Sequence, residues 1–207
     1  MTLLGVGLLW FGWFGFNAGS QLAADAVAGN AFLVTHLAAA TGCLTWVGAE
    51  WILRDKPTSL GLASGAIAGL GSITPASGFV GPGAAIIIGG VAGVICYLAV
   101  LAKDKLGYDD SLDVVGIHGI GGVWGTLATG LFASKAINSA GADGLFFGNA
   151  AQMGPQIIGV VATIAYSFII TVALLYAVKA IMGLRVSEEH EELGVDTSLH
   201  GEAGYTL

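Results

Sequence analysis

The stretch DVVGIHGIGGVWGTLATG, residues 113 to 130, has no charged side chain after Asp113 and a single histidine, His118. Glycine, valine and isoleucine flank that imidazole on both sides. A run this long and this apolar approaches the ~20 residues with which an α-helix crosses a hydrocarbon core about 30 Å thick. The rest of the chain decides between a buried core helix and a membrane span.

Of the 207 residues, 55% are hydrophobic and only 10% charged, and the mean hydropathy is +0.82. Soluble domains carry roughly a quarter charged residues, so a bilayer is the natural solvent here. Residues 114–133 then read as one span, and segments of comparable character lie at 2–18, 30–53, 58–76, 83–102 and 156–182. The sequence predicts an all-α polytopic membrane protein: a bundle of six transmembrane helices over residues 1–182 and a tail over 183–207. The N-terminal run MTLLGVGLLWFGWFGFNAGS has neither a basic leader nor a small-residue cleavage site ahead of it, which marks a span and not a signal peptide.

Lys and Arg flanking a span stay on the cytoplasmic side. Arg54, Lys56, Lys103, Lys105, Lys179 and Arg185 all fall on one side of the six-span arrangement, and only Lys135 falls in an opposite loop. Both chain ends are therefore expected to be cytoplasmic, in the cell (inner) membrane. The net charge of −7 comes largely from Glu188, Glu189, Glu191, Glu192, Asp196 and Glu202 in the tail, a solvated acidic segment that excludes a nucleic-acid surface. Cys43 and Cys96 lie inside spans without a CxxC pair, which indicates neither metal nor disulfide.

The 34 glycines carry packing information. Helices in lipid associate through close backbone approach at small residues. Gly61, Gly65 and Gly69 recur at four-residue spacing, so they share one helix face, and Gly116, Gly119, Gly121, Gly122, Gly125 and Gly130 leave little of the His118 helix bulky. Both helices are expected to face protein. An ionisable group in such a helix marks a transport path or proton relay by default, the alternative being a neutral histidine that ties two helices together. Asp110 is placed to N-cap this helix, and Asp113 to complete something like a capping box. Trp10, Phe11, Trp13, Phe14 and Phe16 crowd the first span, either as an interfacial belt or as ring faces that attract a cation. His36 sits near the outer interface, and His190 and His200 lie in the tail.

Two resemblances follow. LASGAI (62–67) with HGIGGVWG (118–125) partly resembles the rhomboid intramembrane serine proteases, with Ser64 as nucleophile and His118, Gly121 and Gly125 in the histidine helix. Leu62 stands where that pattern has its leading glycine. A far longer match runs through WFGFNAGS (13–20), AEW (49–51, where the pattern has GEW), SGAIAGL (64–70), ITPASGFVGPGAA (73–85), DDSLDVVGIHGIGGVWGTLATGLFA (109–133) and GLRVSEEHEELGVDTSLHGEAGY (183–205). In order and spacing these stretches resemble the ammonium transporters of the Amt/Mep/Rh family, closest to the bacterial Amt branch.

That resemblance implies a fold of about eleven spans in two inverted five-helix repeats plus a final long helix, of which this chain would supply the sixth to eleventh. The missing N-terminal half would come from a longer product or another chain, and Met1 just ahead of an already begun span points to truncation. The resemblance implies no enzyme activity and no cofactor, and ammonium or ammonia as the transported species. It assigns His118 to one of twin pore histidines, Trp13 to the pore-lining tryptophan, Phe16 to a gating phenylalanine, and Ser20 to the outer vestibule. Ser64 and Thr74 match small hydroxylated positions near the path, and Asp110 the aspartate opening the histidine helix. Family members are homotrimers whose cytoplasmic tails receive P-II signal-transduction proteins; Gly183, Asp196, His200, Gly201 and Glu202 belong to the matching tail. An ammonium sensor on the same fold is the second reading.

Overall fold

Asp25 opens the first long crossing: its carboxylate accepts a hydrogen bond from the Ala28 amide, and α2 then runs unbroken over Ala26–Arg54. At about 1.5 Å per residue its 29 residues reach about 43 Å. In the computed structural model, which describes residues 1–204, α2 is preceded by α1 (Thr2–Asn17) and followed by α3 (Ser59–Ile73), α4 (Pro82–Leu106), α5 (Ile120–Phe132), α6 (Met153–Met182) and a short α7 (Glu188–Leu193). A π-helical turn, Val115–Gly119, leads into α5.

Five of the six expected spans are helical stretches long and apolar enough to cross a bilayer: Thr2–Gln21, Ala26–Arg54, Pro82–Leu106, Val115–Phe132 and Ala150–Met182. The expectation for 58–76 needs correction. The helix there has 15 residues, about 22 Å, which falls short of a hydrocarbon core. Pro75 has no N–H with which to continue the ladder, and the chain tightens into turns in which the Ala76 amide reaches the Ile73 carbonyl and the Val80 amide the Ala76 carbonyl. Apolarity continues to residue 76 in the sequence, but the helix does not.

The chain divides into two compact units, residues 1–160 and 161–207, with the boundary inside α6. In the first, α2 packs on both α3 and α4, and α3 also touches α1 and α5. Small residues permit this. A methyl on Gly69 would overlap the Ala38 carbonyl, and one on Gly65 would approach the Gly42 carbonyl and Trp46. The 61/65/69 face is thus the α2-facing side of α3, as its spacing predicts. Two apolar clusters fill the unit: Val34, Ala38, Ile73, Ala76, Val80, Ala85, Ile88 and Ala128, and Trp46, Ala68, Cys96, Tyr97 and Ile117.

Buried polar groups are tied in. The Glu50 carboxylate, 5% exposed, accepts from the Thr58 amide and hydroxyl, and the Thr58 hydroxyl accepts from the Gly61 amide, so the end of α2 caps the start of α3. The Asn30 amide donates to the Val80 carbonyl at 2.9 Å. In the second unit the tail is folded: Ser187 caps α7, Arg185 forms two 2.8 Å bonds to the Glu191 carboxylate, and Asp196–His200 makes a second π-helical turn. That guanidinium holds the Glu191 carboxyl below its ordinary value. Tyr205, the last residue of the tail match, lies outside the described residues.

Candidate functional site

α3 is the element that assembles the site. On α1, the Trp13 indole N–H donates to the Thr74 hydroxyl at 2.8 Å, and that hydroxyl donates to the Leu70 carbonyl at 2.7 Å. Thr74 immediately follows the last residue of α3 and so fixes the indole against the C-terminal end of that helix. One turn earlier stands Gly71, and a Cβ built there would lie 4.0 Å from His118 Nδ1. Gly71 thus lies beside the imidazole, at a spacing that a Cβ would fill with an ordinary van der Waals contact. Trp13 and His118, on helices separated by most of the chain, are thereby brought to adjacent turns of α3.

His118 sits on the π-helical turn, exposed on the face of the unit, while its neighbours Gly116 and Ile117 are buried. Widened turns of this kind recur at functional positions because they redirect one side chain within a helix. The glycines around it divide the labour. Gly116 backs onto Val100 of α4, and Gly121 and Gly125 onto Ser72 of α3, whereas a Cβ at Gly122, one turn beyond His118, would meet open space. Ser72 donates to the Gly121 carbonyl at 3.0 Å, a further α3–α5 tie.

At this end of α3 the site is built from α1 and the turns that follow it. Phe16, 65% exposed, lies edge-on to Trp13 with ring centroids 6.2 Å apart. Ser20 donates to the Asn17 carbonyl at 2.8 Å, and Asn17, which is buried, donates to the Thr35 hydroxyl at 2.9 Å. Ser20 and Thr74 line one cavity of about 230 Å³ together with Asn17, Gln21, Ser77 and Asn138. Every one of these six side chains is a neutral amide or hydroxyl. Such a wall offers donors and acceptors without fixing a counter-charge. Beside it, Gly5, Leu8, Leu9, Gly12, Trp13 and Phe16 frame an apolar groove of about 610 Å³.

Ser64 stands apart, half-buried on α3 and seven residues, or about 10.5 Å, from Gly71. No Ser64–His118 hydrogen bond occurs among the described residues, so the geometry of a serine–histidine dyad is not formed. His36 is exposed and packs against Trp10 and Phe14, at centroid distances of 5.3 and 6.1 Å.

At the opposite end of the histidine turn, the Asp110 carboxylate accepts from the Val114 and Val115 amides at 2.9 and 2.8 Å. Asp113 does not complete a capping box, contrary to the sequence expectation. Its backbone is left-handed, with φ of 56°, and its carboxylate is turned to an ion pair with Lys103 of α4. Charge complementarity with a neighbouring helix outweighs a local backbone bond. In the tail, Gly183 and Gly201 occupy left-handed positions, with φ of 83° and 65°, that end α6 and the last turn. The Glu202 amide closes back on the Asp196 carbonyl at 2.9 Å, with His200 in the same turn.

Sequence reasoning passed over Asn17, Asn30 and Glu50. A polar side chain inside an apolar span is itself the signal that could have singled out all three.

A family model described as Ammonium Transporter Family matches residues 1–205. The chain belongs to the ammonium transporter family. It is 54% identical over 205 residues to the ammonium transporter of Bacillus subtilis, covering 99% of this chain and 51% of that protein. It is 52% identical to ammonium transporter Amt1 of Archaeoglobus fulgidus, covering 100% and 52%. Among solved structures, Saccharomyces cerevisiae Mep2 superposes with a TM-score of 0.86 at 41% identity, over 90% of this chain and 43% of that one. A structure titled Sensor Amt Protein superposes with a TM-score of 0.85 at 32% identity, over 95% and 48%. The chain spans about half the length of the curated relatives it matches. These relatives are named as transporters, not as enzymes, and the apolar helices fit a membrane-integral family.

Proposed function

We propose that the complete protein moves ammonium across the membrane, and that this chain supplies one wall of the path: the sixth to eleventh helices of an eleven-helix fold built from inverted repeats, with an N-terminal half on the facing side. The carrying observation is the convergence on α3, where Thr74 holds Trp13 and Gly71 lies beside His118 one turn away. Inverted-repeat transporters place their path between the repeats, and His118 and Phe16 are both exposed.

The chemistry follows from the residue types. Carrying a bare monovalent cation into an apolar passage is strongly unfavourable. Ammonium first meets ring faces and hydrogen-bonding groups at Trp13, Phe16 and Ser20, where each cation–π contact contributes roughly 0.5–2 kcal/mol. It then gives up a proton to the histidine relay, and neutral ammonia passes the apolar segment, with Ser64 and Thr74 near the path. His118 accepts a hydrogen bond from ammonia or passes the proton to a second imidazole on the facing half. Asp110 and Asp113 anchor the start of the histidine helix.

The assembled protein is a homotrimer in the cell (inner) membrane with its tail in the cytoplasm. There the segment from Gly183 through Asp196, His200, Gly201 and Glu202 receives a P-II protein; its folded turns and its Leu184, Val186, Leu193 and Val195 suit docking on a structured partner. The likeness to a sensor protein at 32% identity favours a second reading, ammonium sensing on the same fold.

The test is His118→Ala in the complete protein, reconstituted in liposomes. Loss of electrogenic ammonium current is expected; a variant that keeps the full current removes the proton relay at His118.

A further inference from the structure

The loop that enters the histidine helix is held by one cation. Lys103, near the end of α4, pairs with the Asp113 carboxylate and donates to the Asp110 carbonyl at 2.8 Å. Asp110 in turn caps the amides of Val114 and Val115, and Asp113, two residues before the π-helical turn, stands in a left-handed conformation that aspartate visits more readily than most residues and that the ion pair further favours. One turn before Lys103 on α4, Val100 touches the Gly116 backbone, and Cys96 Sγ faces the Ile117 carbonyl at 3.7 Å. A single face of α4 therefore grips residues 110, 113, 116 and 117, and His118 is next in sequence. The side chains of Lys103 and Asp113 are 18% and 25% exposed, so the pair is partly shielded and stronger than a fully solvated one.

We infer that Lys103 is a positioning residue for His118: its ion pair with Asp113 and its bond to the Asp110 carbonyl set the widened turn, and so decide where the imidazole stands relative to Gly71. Lys103 touches no transported species. It acts through the backbone of 110–117, and removing its charge lets Asp113 leave the left-handed region and the turn tighten toward an ordinary α-helix. The inference rests on His118 being a path residue.

The experiment compares the native protein with Lys103→Met, Lys103→Arg, Asp113→Asn and Asp113→Gly in liposomes. Ammonium transport kinetics are read alongside the imidazole nitrogen resonances of His118 in ¹⁵N-histidine-labelled protein and the thermal melt of each variant. Lys103→Met is expected to lower the maximal rate about tenfold with KM nearly unchanged and to shift the His118 resonances. Lys103→Arg is expected to restore both. Asp113→Asn and Asp113→Gly both keep the left-handed backbone accessible without the pair, and both are expected to lower the rate and shift the resonances in the direction of Lys103→Met. If His118→Ala abolishes transport while Lys103→Met leaves the rate and the resonances at parental values, the positioning role fails and the transport reading stands. If Lys103→Met shifts the resonances and His118→Ala transports normally, the transport role of His118 fails instead. A rate loss that tracks a lowered melt, with unmoved resonances, assigns Lys103 to folding alone and also overturns the inference.

Discussion

Replacing Thr74 by valine keeps the volume of the side chain and removes its oxygen, and with it the acceptor that fixes Trp13. In the parent, the indole N–H donates at 2.8 Å to Thr74 Oγ1. The hydroxyl's own bond to the Leu70 carbonyl, one of the last four carbonyls of α3, is lost with it. Valine leaves the indole N–H without its acceptor. A typical hydrogen bond contributes ~1 kcal/mol net, and a stranded buried donor about 1–3 kcal/mol. Trp13 is half-buried rather than buried, which favours the lower half, about 1–2 kcal/mol. With each 1.36 kcal/mol worth tenfold in rate, full expression of that loss at the permeation barrier gives a fall of roughly 5- to 30-fold. Thr74→Ser keeps the acceptor and is expected within about twofold of the parent. The assay is ammonium-evoked current from proteoliposomes, with protein incorporation measured in the same preparation. A Thr74→Val protein carrying parental current, with Trp13 fluorescence unchanged, would refute the claim that this bond orients the indole for passage.

Gly125→Val drives a branched side chain into the Ser72 backbone; overpacking of about 1–3 kcal/mol or more separates α5 from α3, and detergent-solubilised protein should melt several degrees lower, while Gly122→Val, facing open space, should leave the melt near the parent's. Asp110→Ala removes a carboxylate that caps two amides and should destabilise the histidine helix by about 0.5–2 kcal/mol, read as faster amide exchange at residues 114–118. The tail responds to acid with a defined sign. Arg185 holds the Glu191 carboxyl below its usual value, so the pair supports the folded tail above the ordinary glutamate range and loses that support as the pH falls through the lowered folded value. Amide exchange over 187–200 should stay protected at neutral pH and rise only in that acidic window, and Arg185→Gln should remove the pH dependence.

What the sequence makes legible here is whatever follows from periodicity and from solvent. Apolar length locates five crossings, and four-residue glycine spacing identifies the face of α3 that meets α2, because small residues at i and i+4 have no other use in a bilayer. Pro75 was visible as a helix breaker, yet the apolar run beyond it carries the same hydropathy as a span, so the early end of α3 is legible only from the hydrogen-bond ladder. Asp110 follows local rules and sits where a capping aspartate should. Asp113 does not, since its partner Lys103 lies on another helix, and no local pattern announces which carboxylate a lysine ten residues away will choose. The meeting of Trp13, Thr74, Gly71 and His118 is a matter of tertiary geometry: each residue could be singled out alone, but their common support on one short helix could not. The widened turn under His118 has no periodic signature at all.

The shortness of α3 also bears on how the protein enters the bilayer. A helix of 15 residues is a poor candidate for insertion by itself, and the turns after it expose backbone groups that hydrocarbon cannot satisfy. Those groups find partners elsewhere: Asn30 on α2 reaches the Val80 carbonyl, and the Ser134 amide reaches the Phe79 carbonyl. Glu50 at the far end of α2 fastens the start of α3. α3 therefore leans on α2, which receives its glycine face and fastens its start. The two helices form a hairpin, and the turns at 74–81 are closed by Asn30 and by the loop bearing Ser134.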